Sequence, residues 1–151
     1  MRKISTLLVA MMLFAAATAT ATARTDKDER QIDFKELPAE AQNFIKKHFA
    51  AESVSLVVVD KGIISNEYDV TFASGLKLEF EGDGQWSDID YRQGEVPHDL
   101  IPKKIADYIA KHYPATKVIE LSREKHEWEV KLSNGRELTF DKAFKLTDID
   151  D

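Results

Sequence analysis

The fold is decided by a stretch that occurs twice in the chain, as EYDVTFASGLKLEFEGDGQWSDID at 67–90 and as EWEVKLSNGRELTFDKAFKLTDID at 127–150. The similarity extends upstream, where LPAEAQNFIKKHF (37–49) matches IPKKIADYIAKHY (101–113). The offset between the copies is 64 residues upstream and 60 residues downstream, so the second copy is four residues shorter. Length changes of that size belong in loops. A period near 60 residues predicts a duplicated α+β unit.

Each copy begins with a predicted helix that has one apolar stripe. Pro38 and Pro102 lie where a proline is tolerated at a helix start. The stripe recurs at helical spacing. Its members are Leu37, Ala41, Phe44, Ile45 and His48 in the first copy, and Ile101, Ile105, Tyr108, Ile109 and His112 in the second.

The strands that follow alternate between apolar and polar residues, which is typical of a sheet with one wet face. The apolar set is Tyr68, Val70 and Phe72 in one copy, and Trp128, Val130 and Leu132 in the other. Three-residue loops at 73–75 and 133–135 keep apolar residues opposite one another, and each ends in a glycine suited to positive φ. Trp86 and Ile89 are three positions apart, so they share a face of the sheet only if their strand contains a bulge. The same holds for Leu146 and Ile149.

These patterns predict an α+β fold of two tandem repeats, each with one helix and about four antiparallel strands. The repeats form one long antiparallel sheet with the helices on one face. We expect Phe44, Ile45, Tyr108 and Ile109 to pack on the apolar strand face. The predicted segments are a signal peptide (1–23), a flexible N-terminus (24–35), repeat 1 (36–92), a linker (93–99) and repeat 2 (100–151).

The N-terminus indicates export. Arg2 and Lys3 precede an apolar run over 7–17 that is short for a membrane span, and small residues favour cleavage after Ala23. The chain has no cysteine, which excludes a lipoprotein and disulfides. We therefore predict a periplasmic protein with no membrane span. Removal of two positive charges with the signal changes the formal net charge from −6 to −8, which argues against a nucleic-acid partner.

The sequence contains no motif for nucleophilic, phosphate-binding or zinc-dependent catalysis, so we predict no enzyme and no cofactor. His48 and His112 occupy equivalent positions, but a structural role is favoured over a metal site. Carboxylates cluster near strand ends, and oxygen ligands suit Ca²⁺. We keep weak calcium binding as the alternative function. The cluster comprises Asp83, Asp88, Asp90, Asp148, Asp150 and Asp151.

With its signal, its two helix-plus-strand copies, the E-aromatic-x-V of each second strand and the terminal D-I-D, the sequence resembles PepSY-like, beta-lactamase-inhibitor-like periplasmic proteins of Bacteroides-type bacteria. The resemblance covers roughly 35–151. It implies two tandem units in one sheet, and binding or inhibition of other proteins, peptidases among them. It supplies no catalytic residues.

The main functional prediction is a non-enzymatic binding module that uses the helix-free face of the sheet. Its acidity favours a basic protein or peptide partner and salt-sensitive association. The predicted binding residues are Glu67, Asp69, Glu79, Glu127, Glu129 and Lys131, with Thr71, Lys77, Glu137 and Thr139 on the same face.

Overall fold

The structure, a computed structural model, describes residues 29–151, so the predicted signal peptide lies outside the described residues. Within this range the chain forms one sheet of nine strands that follow each other in sequence order, each antiparallel to the next. The α+β class and the single antiparallel sheet are confirmed. The strands are β1 Glu29–Gln31, β2 Val54–Lys61, β3 Asn66–Phe72, β4 Lys77–Glu81, β5 Trp86–Asp90, β6 Val118–Arg123, β7 Glu127–Leu132, β8 Glu137–Asp141 and β9 Leu146–Asp150, and the helices are α1 Ala39–His48 and α2 Lys103–His112.

The two hairpin loops adopt the predicted register. Val70 pairs with Leu78, and Val130 pairs with Leu138 at the equivalent place. Gly75 and Gly135 have φ of 88° and 92°, in the left-handed region that other residues rarely adopt. Each hairpin therefore turns through a three-residue loop, which keeps apolar side chains together on one side of the sheet.

A bulge interrupts the pairing in both predicted places. Glu79 pairs with Asp88 but Phe80 pairs with Trp86, so Ser87 is an extra residue in β5. The same shift in β9 leaves Thr147 extra. Side chains in a regular strand alternate between the two faces, and the extra residue of a bulge shifts this alternation by one. Trp86 and Ile89, three positions apart, consequently face the same side of the sheet.

Both helices contact the same face of the sheet. The Phe44 ring in α1 meets Phe80 edge-on at 5.8 Å, and the Tyr108 ring in α2 meets Phe140 edge-on at 5.6 Å. These edge-to-face pairs add to the stabilisation from burial. The largest fully buried side chains are Phe72, Phe80, Phe140, Leu76, Leu78, Ile89, Ile105, Leu121, Leu132, Leu138, Val70 and Val96.

Some local expectations differ from the structure. Within 24–35, expected to be flexible, residues 29–31 form β1 and pair with β2. Trp128 faces the helix side but is only half-buried, because its ring contacts are with Trp86 and Phe144, both also half-buried. His112 was expected to continue the apolar stripe of α2, yet it is exposed and its ring stacks on Tyr108.

The depth of the two aromatic positions predicts different costs of truncation. Phe140→Ala should lower the free energy of unfolding by roughly 3–5 kcal/mol, because the ring is fully buried and a cavity remains. Trp128→Ala should cost less than Phe140→Ala, since water already reaches part of the indole. Urea unfolding of both variants checks this order, and a larger loss for Trp128→Ala would contradict the packing described here.

Candidate functional site: the open face of the sheet

The side of the sheet opposite the helices, called the open face below, carries rows of side chains that run across the strands. Directly paired residues of neighbouring strands on the same face lie about 4.5–5.5 Å apart at Cβ. The central row consists of Asp69, Glu79, Asp88, Ser122, Glu129, Thr139 and Asp148. The row beside it consists of Thr71, Lys77, Asp90, Glu120, Lys131, Glu137 and Asp150.

The central row concentrates negative charge. From β3 to β9 it contains five carboxylates, two hydroxyls and no basic side chain among the described residues. Three of the carboxylates, Asp69, Glu79 and Asp88, stand on consecutive strands. Like charges directly opposite each other in a sheet are destabilising. The row beside it is partly neutralised, because Lys77 and Lys131 interrupt its acidic residues.

The open face is concave over its middle. A depression of about 630 Å³ spans strands β3 to β8, which is broad and shallow rather than enclosed. Of the described residues that line it, nine are carboxylates and four are basic. The carboxylates are Glu67, Asp69, Glu79, Glu81, Asp88, Glu120, Glu124, Glu129 and Glu137, and the basic residues are Arg92, Arg123, Lys125 and Lys131.

Five of the six residues predicted from the sequence line this depression: Glu67, Asp69, Glu79, Glu129 and Lys131. Glu127 does not line it, and pairs instead with Asp141 near the outer end of β7. Glu120 lines the depression but was not among the predicted site residues, although the alternation of Glu120, Leu121 and Ser122 indicates a polar face there.

Asp88 lines the depression from β5, and its carboxyl group has an unusually high pKa. Burial raises its pKa to about 7, and the neighbouring carboxylates of Glu79, Glu120 and Asp90 act in the same direction. The Ser122 hydroxyl donates a hydrogen bond to Asp88 Oδ1, which opposes part of this effect. Near neutral pH the centre of the open face therefore carries a carboxyl group that is only partly ionised.

Glu120 and Glu129 are also perturbed. Burial is the main cause of the raised pKa of Glu120, and its Oε2 atom is buried with no hydrogen-bond partner among the described residues. Arg92 Nη2 lies 3.8 Å from that oxygen, which is too far for a hydrogen bond. Burial also raises the pKa of Glu129, and Glu137 adds to the effect.

Two of the basic residues are held by other contacts. Arg92 Nε lies 3.1 Å from Asp90, so its charge is directed mainly to that carboxylate. Arg123 donates a hydrogen bond of 2.7 Å to the Trp86 carbonyl, and its guanidinium lies 4.8 Å from the centre of the Trp86 ring. The described lining of the depression contains more than twice as many carboxylates as basic residues, which makes the depression suited to binding cations or basic groups.

The aspartates considered for calcium have several different environments. Asp83 accepts a hydrogen bond from the Gln85 amide in the β4–β5 turn, and Asp151 contacts Arg136 at 3.2 Å. Within residues 29–151 no group of three or more His, Cys, Asp or Glu side chains is arranged to hold a metal ion. His48 Nδ1 lies 3.2 Å from Asp99, so the two equivalent histidines have different partners.

Residues 66–148 match the PepSY-like family, which is described as beta-lactamase-inhibitor-like. The chain belongs to this PepSY-like family. The match begins at the first residue of β3 and ends within β9, so it includes nearly all of the open face described above.

Solved structures agree with the assignment to the PepSY-like family. A proposed periplasmic protein of the DUF2874 family from Bacteroides vulgatus is 39% identical, with a TM-score of 0.81, covering 85% of this chain and all of that one. A Bacteroides thetaiotaomicron periplasmic protein for which calcium regulation is proposed is 40% identical, with a TM-score of 0.80 and coverage of 82% and 98%. A third, a proposed periplasmic protein of unknown function from Bacteroides vulgatus, is 31% identical, with a TM-score of 0.78 and coverage of 82% and 99%.

No curated protein matches this PepSY-like chain. Among the helices of residues 29–151, neither is long and apolar enough to cross a membrane.

The acidity of Asp88 predicts how the stability of the PepSY-like protein varies with pH. Its pKa in the folded state lies above its ordinary value of 3.8, so the stabilisation it contributes is complete below that value and is lost as the pH rises through about 7. Asp88→Asn should therefore be more stable than the wild type at pH 8, by roughly 1–4 kcal/mol. Thermal unfolding between pH 4 and pH 8 tests this, and equal stability at pH 8 would contradict the described environment.

Proposed function

We propose that this PepSY-like protein is a non-enzymatic periplasmic binding module that takes a basic segment of a protein or peptide on its open face. The observation that carries the proposal is the central row, in which neighbouring strands place carboxylates side by side without a basic residue among them in the described sheet. A basic ligand would offset the repulsion within this row, and binding would be strongest at low salt.

The extent of the depression favours a macromolecular partner over a small substrate. It spans six strands, which corresponds to about 24 Å at the usual strand spacing of about 4.8 Å. The raised pKa values of Asp88 and Glu129 follow from burial and from crowding of like charges. A broad surface of fixed charge supports binding.

Features outside the open face support a periplasmic location and an internal duplication of the chain. The N-terminal segment has the composition of a cleaved signal peptide, and the three solved relatives are proposed periplasmic proteins. The two hairpins share one loop length, one register and one bulge position, which supports an internal duplication of the helix-plus-strand unit.

A fluorescein-labelled decalysine peptide is a defined probe of this proposal. The mature protein should bind it in fluorescence anisotropy, and binding should weaken as NaCl rises from 20 to about 300 mM because screening shortens the reach of the charges. Replacing three carboxylates of the depression, as Glu67→Gln, Glu129→Gln and Glu137→Gln together, should raise the Kd about tenfold or more at low salt.

A matched control separates the open face from overall acidity. Glu40→Gln, Glu95→Gln and Asp107→Asn remove the same number of charges from exposed positions on the helices and the linker. This control variant should bind decalysine with nearly wild-type affinity. If both triple variants lose affinity equally, net charge rather than the open face is responsible, and the proposal is wrong.

Calcium is the second candidate ligand, because the central row contains five carboxylates and one solved relative is proposed to be calcium-regulated. Weak binding is expected, since the described residues hold no ready-made set of metal ligands. Addition of about 5 mM CaCl₂ should raise the melting temperature through preferential binding to the folded state. Equal melting temperatures in CaCl₂ and in NaCl of the same ionic strength, with no heat in a calorimetric titration, would rule out this candidate.

A further inference from the structure

The hairpin between β2 and β3 ends in two fully exposed isoleucines. Ile63 and Ile64 have relative accessibilities of 106% and 99%, whereas Ile149, the next most exposed large hydrophobic residue described, has 41%. Turns are usually built from Gly, Asn, Asp, Ser and Pro. Large aliphatic side chains at a turn expose apolar surface to water, which is unfavourable. Two adjacent isoleucines at a hairpin end therefore require an explanation beyond folding.

This tip, residues 62–65, projects further than its counterpart in the second half of the sheet. Val59 pairs with Tyr68 in one hairpin, and Arg123 pairs with Trp128 at the equivalent place in the other. Eight residues connect the first pair and four connect the second. The first hairpin consequently continues for two further residue pairs, about 7 Å at the usual strand rise.

The base of the tip is closely packed. Lys61 pairs with Asn66 directly below it. A Cβ atom on Gly62 would lie 2.4 Å from the Ser65 carbonyl oxygen, so only glycine fits at that position. A Cβ atom on Gly82, in the turn after β4, would lie 3.0 Å from the Asn66 carbonyl oxygen. The hairpin therefore approaches the turn after β4 closely at Asn66, just below the two isoleucines.

The tip borders the acidic depression. Ser65 and Glu67, at the tip and just after it, are among the lining residues. A ligand that lies in the depression and reaches its edge on β3 would thus meet an apolar element directly after a run of carboxylates.

We propose that Ile63 and Ile64 form an apolar contact of the binding surface, and that the partner carries large apolar residues next to its basic run. This inference rests on the proposed function of the open face. Charge complementarity favours such a partner over a second copy of this chain and over a lipid surface. A second copy would bring the same acidic depression close to this one, and an anionic lipid surface would repel it.

Two labelled peptides test the inference: octalysine followed by Gly-Leu-Trp-Leu, and octalysine followed by Gly-Ser-Gly-Ser, each also made with the tail at the other end. The wild type should bind the better apolar-tailed peptide about tenfold more tightly than its polar-tailed counterpart. The double variant Ile63→Ser/Ile64→Ser should lose this preference and keep its affinity for the polar-tailed peptide. Ile149→Ser, which removes an exposed isoleucine elsewhere, should keep the preference.

Each other outcome overturns the inference. Equal binding of the two peptides by the wild type, in both orientations, leaves the proposed function standing and removes the role of the tip. Failure to bind either peptide overturns both proposals. Co-sedimentation with phosphatidylcholine vesicles that is lost in Ile63→Ser/Ile64→Ser would assign the tip to membranes. A dimer in sedimentation velocity that the same variant converts to monomer would assign it to a second copy.

Discussion

The side-chain phase of β5 is the constraint on which the rest of the molecule depends. Trp86 and Ile89 both reach the helix side because Ser87 is bulged out between them. The same shift brings Asp88 opposite Glu79 on the other side of the sheet. Adjacent residues of a strand face opposite sides of the sheet, so a charged residue between two core residues must lie on the open face. The arrangement that completes the hydrophobic core therefore also assembles the central row of carboxylates.

This coupling has an energetic consequence. Burial of Val70, Leu78, Ile89, Leu121 and Val130 favours one pairing of the middle strands, and that pairing places the carboxylates of the central row on the opposite face. Burial is the main cause of the raised pKa values of Asp88, Glu120 and Glu129, and neighbouring carboxylates raise them further. Local arrangements that lower stability while the remainder of a fold is consistent are characteristic of functional sites. The open face of this PepSY-like protein fits that description.

Much of the framework could be predicted from the sequence because it follows from local rules. The positions of Gly75 and Gly135 determined the hairpin register, and the failure of simple alternation at Trp86 and Ile89 revealed the bulge. The environment of Asp88 could not be predicted, because it depends on pairing with Ser122 across an intervening helix. Strand β1 was missed since three residues without alternation give no strand pattern. The exposure of Ile63 and Ile64 was hidden for another reason: aliphatic residues beside a strand are usually interpreted as part of it.

The central row holds crowded carboxylates, and we propose that a basic ligand offsets their repulsion. The most direct measurement is a ¹³C NMR titration of the aspartate side chains, with and without saturating decalysine. We expect the Asp88 carboxyl to titrate with a pKa of about 7 in the free protein, and we expect the bound peptide to lower this pKa. An Asp88 carboxyl that titrates near 4 in the free protein, or whose pKa does not change when the peptide binds, would contradict the proposed role of the central row.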